Sequence, residues 1–311
     1  MYRRIYRFFI KNNVLCKQQF GFRKNHSTSL SLLRVIDSCF SHLDANHKVV
    51  GIYFDLCKAF DTVDHVILLQ KLYHYGIRGL MYNWIKNYLF NRKQFTCVND
   101  VSSHTGNIIC GVPQGSVLGP LLFLVYVNDI ANAVPGSDLG LFADDTNLFI
   151  SDSDINSLQQ TANIYLKQME AWFIANKLSL NIDKTCYSIF SKGSPQRTNI
   201  TLCIDNKLIA RVPMYKYLGV IIDEFLKWDE HIDYVYKKLL KFIGIFYKLR
   251  NIIPHRCMSS LYFSFVYPHL LYGIEVFGNA SKSSLDKLCK LNNKLIRILL
   301  FANFSTSTCD L

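Results

Sequence analysis

Three aspartates stand where apolar segments of the sequence give way to polar residues. Asp55 follows the apolar run at 48–54, and Asp144 and Asp145 separate the short apolar runs at 139–143 and 147–150. Runs of this kind are typical of buried strands, and paired strands lie about 4.8 Å apart. If these strands pair, we expect the three carboxylates to lie close together in space.

Carboxylates at that distance repel one another, which raises their pKa values unless a cation neutralises them. Oxygen ligands suit Mg²⁺, which also keeps coordination positions open for substrate phosphates. A pair of such ions about 3.5–4 Å apart activates an attacking oxygen and stabilises a leaving one. The residues alone leave a structural alternative open, in which Asp55 caps the following helix and Asp144 and Asp145 make an Asx turn.

The elements that must position these acids are predicted from the spacing of apolar residues and from turn signals. Helices are expected over 26–46, 63–76, 80–90, 117–130 and 154–178, strands over 48–54, 94–99, 107–110, 186–190 and within 200–222, and three basic helices over 229–301. Residues 139–150 predict a β-hairpin with an acidic turn. Strands mixed with helices in the middle and helices alone at the end predict an α+β fold.

The charge of the chain is concentrated at its two ends. Its 311 residues carry a net charge of +12. Residues 1–34 hold eight Lys and Arg and no acid, and residues 237–301 hold eleven against two acids. Solvated helix faces are one explanation. The other is a polyanionic partner, which favours a nucleic-acid groove whose floor binds a metal.

Cysteine spacing and hydropathy predict the cellular setting. The ten cysteines stand singly, without a CxxC pair, which favours reduced thiols in an intracellular protein, nuclear or cytoplasmic. No uninterrupted apolar segment reaches the roughly 20 residues that a membrane helix needs. The first residues lack the apolar core of a signal peptide. We therefore expect a protein that is not secreted and does not bind membranes.

Six ordered segments resemble the reverse transcriptases of non-LTR retrotransposons, of the jockey-like kind. They are QFGFR at 19–23, FDLCKAFD at 54–61, GVPQGSVLGP at 111–120, FADD at 142–145, LN at 180–181 with KT at 184–185, and YLG at 217–219. The resemblance covers nearly the whole chain. It implies a right-hand polymerase fold with an antiparallel palm sheet: partial fingers at 1–47, a palm at 48–223 with a fingers insertion at about 63–110, and a helical thumb at 224–311.

The resemblance also implies a reaction. The chain would be an RNA-directed DNA polymerase, a nucleotidyltransferase that extends a DNA primer on an RNA template with dNTPs. Asp55, Asp144 and Asp145, with the backbone carbonyl of Leu56, would bind two Mg²⁺ ions, or Mn²⁺ in their place. The primer 3′-hydroxyl would attack the α-phosphate, and positioning and charge neutralisation would supply most of the catalysis.

Five more residues receive roles by resemblance, and all but Arg23 have a plainer alternative. Phe60 would lie beneath the incoming sugar and leave no room for a 2′-hydroxyl, or it is a core residue. Gln114 and Gly115 would lie beside the new base pair, or they form a simple turn. Lys184 would approach the leaving pyrophosphate as an acid or charge partner, or it is a solvated lysine. Arg23 would supply part of the wall that grips the triphosphate.

The remaining implied roles concern the primer. The YLG segment would hold the primer end, although as residues alone it reads as a strand that enters a turn. The basic helices would follow the backbone of the duplex without reading its sequence.

The sequence departs from the family pattern in its N-terminal part. Only eighteen residues precede Gln19, so we expect N-terminally truncated fingers and no upstream endonuclease or RNase H domain within the chain. Gly119 replaces a common serine and Phe142 a common tyrosine. One hypothesis is an active polymerase module of a transposable element. The alternative is a truncated or domesticated relic that binds nucleic acid without synthesis, and a two-metal nuclease would leave the PQG segment without a role.

Overall fold

The computed structural model describes residues 1–192 and 200–302. The remaining parts of the predicted palm and thumb, 193–199 and 303–311, lie outside the described residues. The chain divides into two units. The sheet unit consists of Met1–Ser31 and Asp37–Val212, and the C-terminal unit consists of Leu32–Ile36 and Pro213–Leu311. No helix in the described ranges has the length and apolar character needed to cross a bilayer.

A five-stranded sheet forms the centre of the sheet unit. The strands of the chain are β1 (Lys48–Phe54), β2 (Lys93–Gln94), β3 (Cys97–Val98), β4 (Val101–Ser102), β5 (Gly106–Asn107), β6 (Asp138–Phe142), β7 (Asp145–Asp152), β8 (Cys186–Phe190), β9 (Cys203–Ile204), β10 (Lys207–Leu208), β11 (Ala210–Arg211), β12 (Met214–Tyr217) and β13 (Val220–Asp223). The order in the large sheet is β11-β8-β1-β7-β6. Its neighbours are antiparallel except β11 and β8.

The middle of this sheet confirms the predicted strand and hairpin. Strand β1 is buried from Val49 to Phe54, because it lies between two neighbours and is covered on both faces. Strands β6 and β7 form the predicted hairpin, with Phe142 opposite Asp145. The predicted extent of its turn was wrong: Asp145 already belongs to β7, so the turn consists of Ala143 and Asp144 alone.

The helices of the sheet unit are close to those expected from the periodicity, except the first, which was not predicted. They are α1 (Tyr2–Lys11), α2 (Thr28–Asp44), which continues through the short C-terminal-unit segment, α3 (His65–His74), α4 (Gly79–Leu89), α5 (Gly119–Tyr126) and α6 (Ile155–Ala175). Side-chain caps start three of them: Ser27, Asp64 and Asp154 each accept a backbone N–H of the first turn. The predicted helix over 117–130 is interrupted, since α5 ends at Tyr126 and a 3₁₀ turn follows at Ile130–Ala133.

The apolar core lies against the large sheet. Helix α5 is buried on every side, and its Pro120 occupies the first turn, where a missing N–H breaks no helical bond. Helices α3 and α6 contribute their apolar faces, and Phe173 of α6 contacts Phe54 of β1 with ring centroids 5.7 Å apart. The strands predicted at 94–99 and 107–110 are wrong in extent. Only two-residue strands form there, because all their residues are exposed and bury no apolar face.

The C-terminal unit consists of the β12–β13 hairpin and helices. The helices are α7 (Asp229–Leu249), α8 (His255–Phe265), α9 (Tyr267–Leu271), α10 (Ile274–Phe277) and α11 (Lys282–Leu299). Three basic helices were predicted over 229–301, and α7, α8 and α11 confirm them. The two short ones arise because Pro268 begins a new helix and Gly273, at φ 76°, precedes another in a left-handed conformation.

Candidate active site

The three acids predicted to converge lie at one edge of the large sheet. Phe54 pairs with Thr146, so Asp55, the next residue, lies at the end of the sheet where β7 begins with Asp145. Asp144 occupies the turn that joins β6 to β7. The antiparallel register therefore brings together residues that are far apart in the sequence.

The electrostatics of this edge agree with its geometry. Asp145 retains solvent-exposed surface, but desolvation by the surrounding protein, followed by the charges of Asp144 and Asp55, raises its pKa from 3.8 to about 6. Within the described ranges, no lysine or arginine forms an ion pair with any of the three. The edge therefore carries negative charge that the protein itself leaves uncompensated.

The segment at 179–185 fixes the backbone of Asp55. The Asn181 amide donates to the Asp55 carbonyl at 2.8 Å, and the Asp55 amide donates to Thr185 Oγ1 at 3.3 Å. Thr185 is fully buried and donates in turn to the Asn181 carbonyl at 2.9 Å. Lys184 stands beside it with an exposed side chain, and its amide bonds to the Asn181 carbonyl. A solvent-exposed lysine thus lies in the turn that holds Asp55.

Leu56 forms an isolated antiparallel bridge with Leu180. The hydrogen bonds on either side of this bridge use the Asp55 carbonyl and the Cys57 amide, which donates to the Ser179 carbonyl at 2.8 Å. The Leu56 carbonyl takes no part in these two bonds, so the bridge leaves it available to a ligand.

Phe60 is held by two other aromatic rings. It stacks on the buried Phe123 of α5, with centroids 4.2 Å apart and planes inclined by 23°. Phe22 contacts it edge-on, at 6.2 Å and 89°. Phe60 itself is half-buried. One part of the ring is therefore fixed in the core, and another part remains at the surface.

The loop that begins at Gly111 docks onto the segment after Asp55. The Gly111 amide donates to the Val63 carbonyl at 2.8 Å, and the Val112 amide donates to the Phe60 carbonyl at 2.9 Å. Gly111 has φ 85°, and a Cβ there would lie 2.7 Å from the Asp61 carbonyl oxygen, so only glycine fits. The buried His65 completes the contact through Nε2, 2.7 Å from the Gly111 carbonyl.

This docking brings Gln114 to Asp61. Gln114 Nε2 donates to Asp61 Oδ1 at 2.7 Å, and both residues line a cleft of about 670 Å³ together with Lys58 and Arg92. Gly115 follows with φ 73°, and no atom lies within 4 Å of the position of a Cβ there. The loop therefore offers a polar amide and an unobstructed backbone at the cleft.

Arg23 is bound to the backbone of its own loop. Its Nη1 donates to the carbonyls of Cys16 at 2.7 Å and Gln19 at 3.1 Å. Because these bonds join residues four and seven positions apart, the guanidinium braces its own loop.

The donor set at the sheet edge fits a hard divalent cation. In the described ranges, no group of three or more His, Cys, Asp and Glu side chains is already arranged as a metal-ligand set. Asp55, Asp144 and Asp145 nonetheless present only oxygen donors and uncompensated charge, which are the properties that Mg²⁺ and Mn²⁺ select. The residues can therefore hold such an ion once their side chains converge on it.

Two residues of this region received no role from the sequence. Asp61 orients the Gln114 amide, and Thr185 holds the Asp55 backbone. Both lie within the segments that resemble the family, six residues after Asp55 and one after Lys184. Their position in those segments was the only signal available, because their partners are remote in the sequence.

Comparison with known proteins identifies the family. The model of the family described as "Reverse transcriptase (RNA-dependent DNA polymerase)" matches residues 1–222. The chain is 29% identical to the RNA-directed DNA polymerase from mobile element jockey of Drosophila melanogaster, over 95% of this chain and 33% of that protein. It is 27% identical to the probable RNA-directed DNA polymerase from transposon BS of the same species, over 93% and 33%. The chain thus spans about a third of the length of these relatives.

The fold is shared with a solved structure. Telomerase from Candida albicans, solved with a fragment of telomeric RNA, superposes with a TM-score of 0.52 at 11% identity, over 98% of this chain and 56% of that one. The α+β architecture is accordingly that of the right-hand polymerases. Since the family model matches more than half of the residues, and the non-LTR relatives align over nearly all of them, the chain belongs to the reverse transcriptase (RNA-dependent DNA polymerase) family.

Proposed function

We propose that the chain is the polymerase module of a non-LTR retroelement and extends a DNA primer on an RNA template with dNTPs. The observation that carries the proposal is that the strand register places Asp55, Asp144 and Asp145 at one sheet edge, with uncompensated charge. Three neighbouring acids repel one another, and nothing in the fold requires them beside a buried sheet. A site that binds cations and phosphates requires such a cluster.

Asp55 and Asp144 would be the principal metal ligands, with Asp145 as the third carboxylate and the Leu56 carbonyl beside them. Two bound Mg²⁺ ions, or Mn²⁺ in their place, would neutralise charge on the attacking 3′-hydroxyl and on the leaving pyrophosphate during in-line transfer. The protein's contribution is to hold its carboxylates in place, through the β1–β7 register and the Thr185 contact.

The surrounding residues support binding of a nucleotide. The ring of Phe60, fixed against Phe123, would contact the incoming sugar and exclude a 2′-hydroxyl. Gln114, oriented by Asp61, and Gly115 would lie along the new base pair. Lys184 would donate a proton or a positive charge to the pyrophosphate. For Arg23 we propose support of the loop in place of triphosphate binding.

The assignment of domains follows from the same function. Residues 1–47 would be partial fingers, 48–223 the palm with the insertion at about 63–110, and 224–311 the thumb. Lysines and arginines on the thumb helices would bind the phosphate backbone, which makes binding depend steeply on salt. The cysteines of the described ranges are all free thiols, which supports an intracellular setting in the nucleus or cytoplasm.

The test is primer extension on an RNA template with dNTPs and Mg²⁺. Asp144→Ala should reduce extension by about 1000-fold, which corresponds to about 4 kcal/mol of lost transition-state stabilisation. Asp37→Asn, on the exposed face of α2, is the matched control and should leave extension unchanged. Full activity in Asp144→Ala would refute the proposed site.

The same assay separates the alternative function. A relic would bind a primer–template with a steep salt dependence, and neither the wild type nor any variant would extend it. If the wild type extends the primer and Asp144→Ala does not, the relic hypothesis is excluded.

A further inference from the structure

The QFGFR segment has a structural partner that the proposed function does not use. Its first residues run beside the edge strand β6, outside the five-stranded sheet. The Phe20 amide donates to the Leu141 carbonyl at 2.8 Å, and the Leu141 amide donates to the Gln18 carbonyl at 3.1 Å. Gln19 and Leu141 form a parallel bridge. The segment therefore ends beside the hairpin turn that carries Asp144.

The side chain of Gln19 binds the turn itself. Gln19 Oε1 accepts the Ala143 amide at 2.9 Å, and Nε2 donates to the Ala143 carbonyl at 3.3 Å. The same Oε1 accepts the Gly21 amide at 2.8 Å. Gln19 is 3% exposed, so water does not compete for these bonds. The carboxamide thus satisfies both backbone groups of the residue that precedes Asp144.

The backbone of Gly21 lies close to the same residue, Ala143. A Cβ on Gly21 would lie 2.3 Å from the Ala143 nitrogen, closer than any side chain tolerates. Ala143 has φ 58°, a left-handed conformation that a non-glycine residue adopts only where its surroundings impose it. Gln19 and Gly21 supply those surroundings.

We infer that Gln19 is the positioning residue of the metal-binding turn. Asp144 and Asp145 repel each other and Asp55, and a two-residue turn has little structure of its own with which to resist this repulsion. By fixing Ala143 from both its amide and its carbonyl, Gln19 keeps the two carboxylates beside Asp55. The inference rests on the proposed function, because it assigns the turn to metal binding.

The variant that isolates the side chain is Gln19→Met, which has a similar size but makes no hydrogen bond. Gln18→Met is the matched control. Gln18 precedes Gln19, is half-buried, and binds Cys16 Sγ at 2.9 Å, away from the turn. Both variants leave the backbone bonds along β6 unchanged.

Two measurements need no catalysis. Hydrogen exchange of peptides that span 139–147 reports the protection of the Ala143 amide, and electron paramagnetic resonance reports the affinity for Mn²⁺. In Gln19→Met we expect amide protection to fall and the Kd for Mn²⁺ to rise, each by about tenfold, the effect of losing a buried hydrogen bond. In primer extension the half-saturating Mg²⁺ concentration should rise, while the KM for dNTP stays within about twofold.

Several outcomes would overturn the inference. Unchanged protection, or unchanged Mn²⁺ affinity, in a folded Gln19→Met would do so. An equal loss in Gln18→Met would also do so, because it would reveal a general loss of stability. If Gln19→Met does not fold, Gln19→Glu decides. Gln19→Glu keeps the oxygen that accepts both amides, so the Ala143 amide should stay protected. Loss of that protection in Gln19→Glu would refute the contact. A wild type that does not extend primers would refute the polymerase and still leave these two measurements decisive.

Discussion

Two aspartates at strand ends, one in each unit, have opposite environments. Asp223 ends β13 of the C-terminal unit and is 8% exposed. Its carboxylate accepts the backbone amides of Phe225 at 2.9 Å, Lys227 at 3.1 Å and Trp228 at 3.0 Å. Asp145 begins β7 of the sheet unit, where the charges of Asp144 and Asp55 add to desolvation and raise its pKa.

The difference shows how to distinguish a structural carboxylate from a functional one. Backbone N–H donors stabilise the charge of Asp223, so this residue closes a loop and needs no other partner. The like charges around Asp145 destabilise its ionised form. This repulsion lowers the stability of the folded chain and supports no part of the fold. The identity of the neighbouring groups, backbone donors in one case and like charges in the other, separates the two cases.

Particular lysines of the two units show a similar difference. In the sheet unit, Lys71 donates to Asp129 and to the Tyr126 carbonyl, both at 2.6 Å, and its side chain is 12% exposed. In the C-terminal unit, the ammonium groups of Lys216 and Lys238 both lie 4.7 Å from the ring centroid of Tyr234. The Tyr234 ring, together with its hydroxyl, which accepts from Lys216 at 2.8 Å, holds these cations without pairing them to a carboxylate, which leaves positive charge for a polyanion.

The largest expected effect tests the structural carboxylate. Asp223→Ala should lower the free energy of unfolding of the C-terminal unit by about 3 kcal/mol, because it removes several charge-assisted bonds at once. Urea denaturation followed by fluorescence of the buried Trp228 measures it, with Trp84 and Trp172 replaced by phenylalanine. Asp223→Asn, which keeps one acceptor oxygen, should lose less.

Asp145→Asn should have the opposite effect on stability from Asp223→Ala. In EDTA at pH 8 it should raise the melting temperature, since it removes one of three repelling charges. Destabilisation by Asp145→Asn under these conditions would contradict the contrast between the two aspartates.

A smaller effect depends on pH. His231 is 1% exposed, and desolvation, together with the charges of Lys216 and Lys238, lowers its pKa from 6.5 to about 4. Between pH 7 and pH 5 the unfolded chain therefore takes up a proton that the folded chain does not, and stability falls, by about 2 kcal/mol.

Denaturation at the two pH values, with the Trp228 signal, measures this loss. His231→Asn keeps an acceptor for the Ile221 amide, which now donates to Nδ1 at 3.2 Å, and cannot titrate, so its stability should change less over this range. The exposed His255→Asn is the control and should behave as the wild type. If the stability of His231→Asn depends on pH as strongly as that of the wild type, His231 is not the group responsible.

The smallest effect concerns selectivity. Phe60→Ala should raise the incorporation of rNTP relative to dNTP by about tenfold, because the ring no longer occupies the space of a 2′-hydroxyl. Competitive primer extension measures the ratio, and Phe60→Tyr, which keeps the ring, should retain discrimination. The salt dependence of primer–template binding should be unaffected, since it belongs to the basic helices. An unchanged ratio in Phe60→Ala would mean that the ring is only part of the core.

Much of the fold followed from local patterns. Strand β1 was predicted to the residue, because a continuous apolar run has one natural place, in the middle of a covered sheet. The spacing of apolar residues predicted helix α2 to within two residues at each end. The exposed hairpins between 93 and 107 were poorly predicted, since nothing buried fixes their length. The turn of the β6–β7 hairpin was predicted one residue too long, because cross-strand register is absent from a local pattern.

The sequence by itself determined which residues could do chemistry: three aspartates at the ends of apolar runs, and segments that resemble a known family. It could not determine how they are held. The bonds of Gln19 to Ala143 and of Thr185 to Asp55 join residues more than a hundred positions apart. Such contacts exist only once the strands have paired in one register, so the tertiary structure alone decided which side chains support the carboxylates.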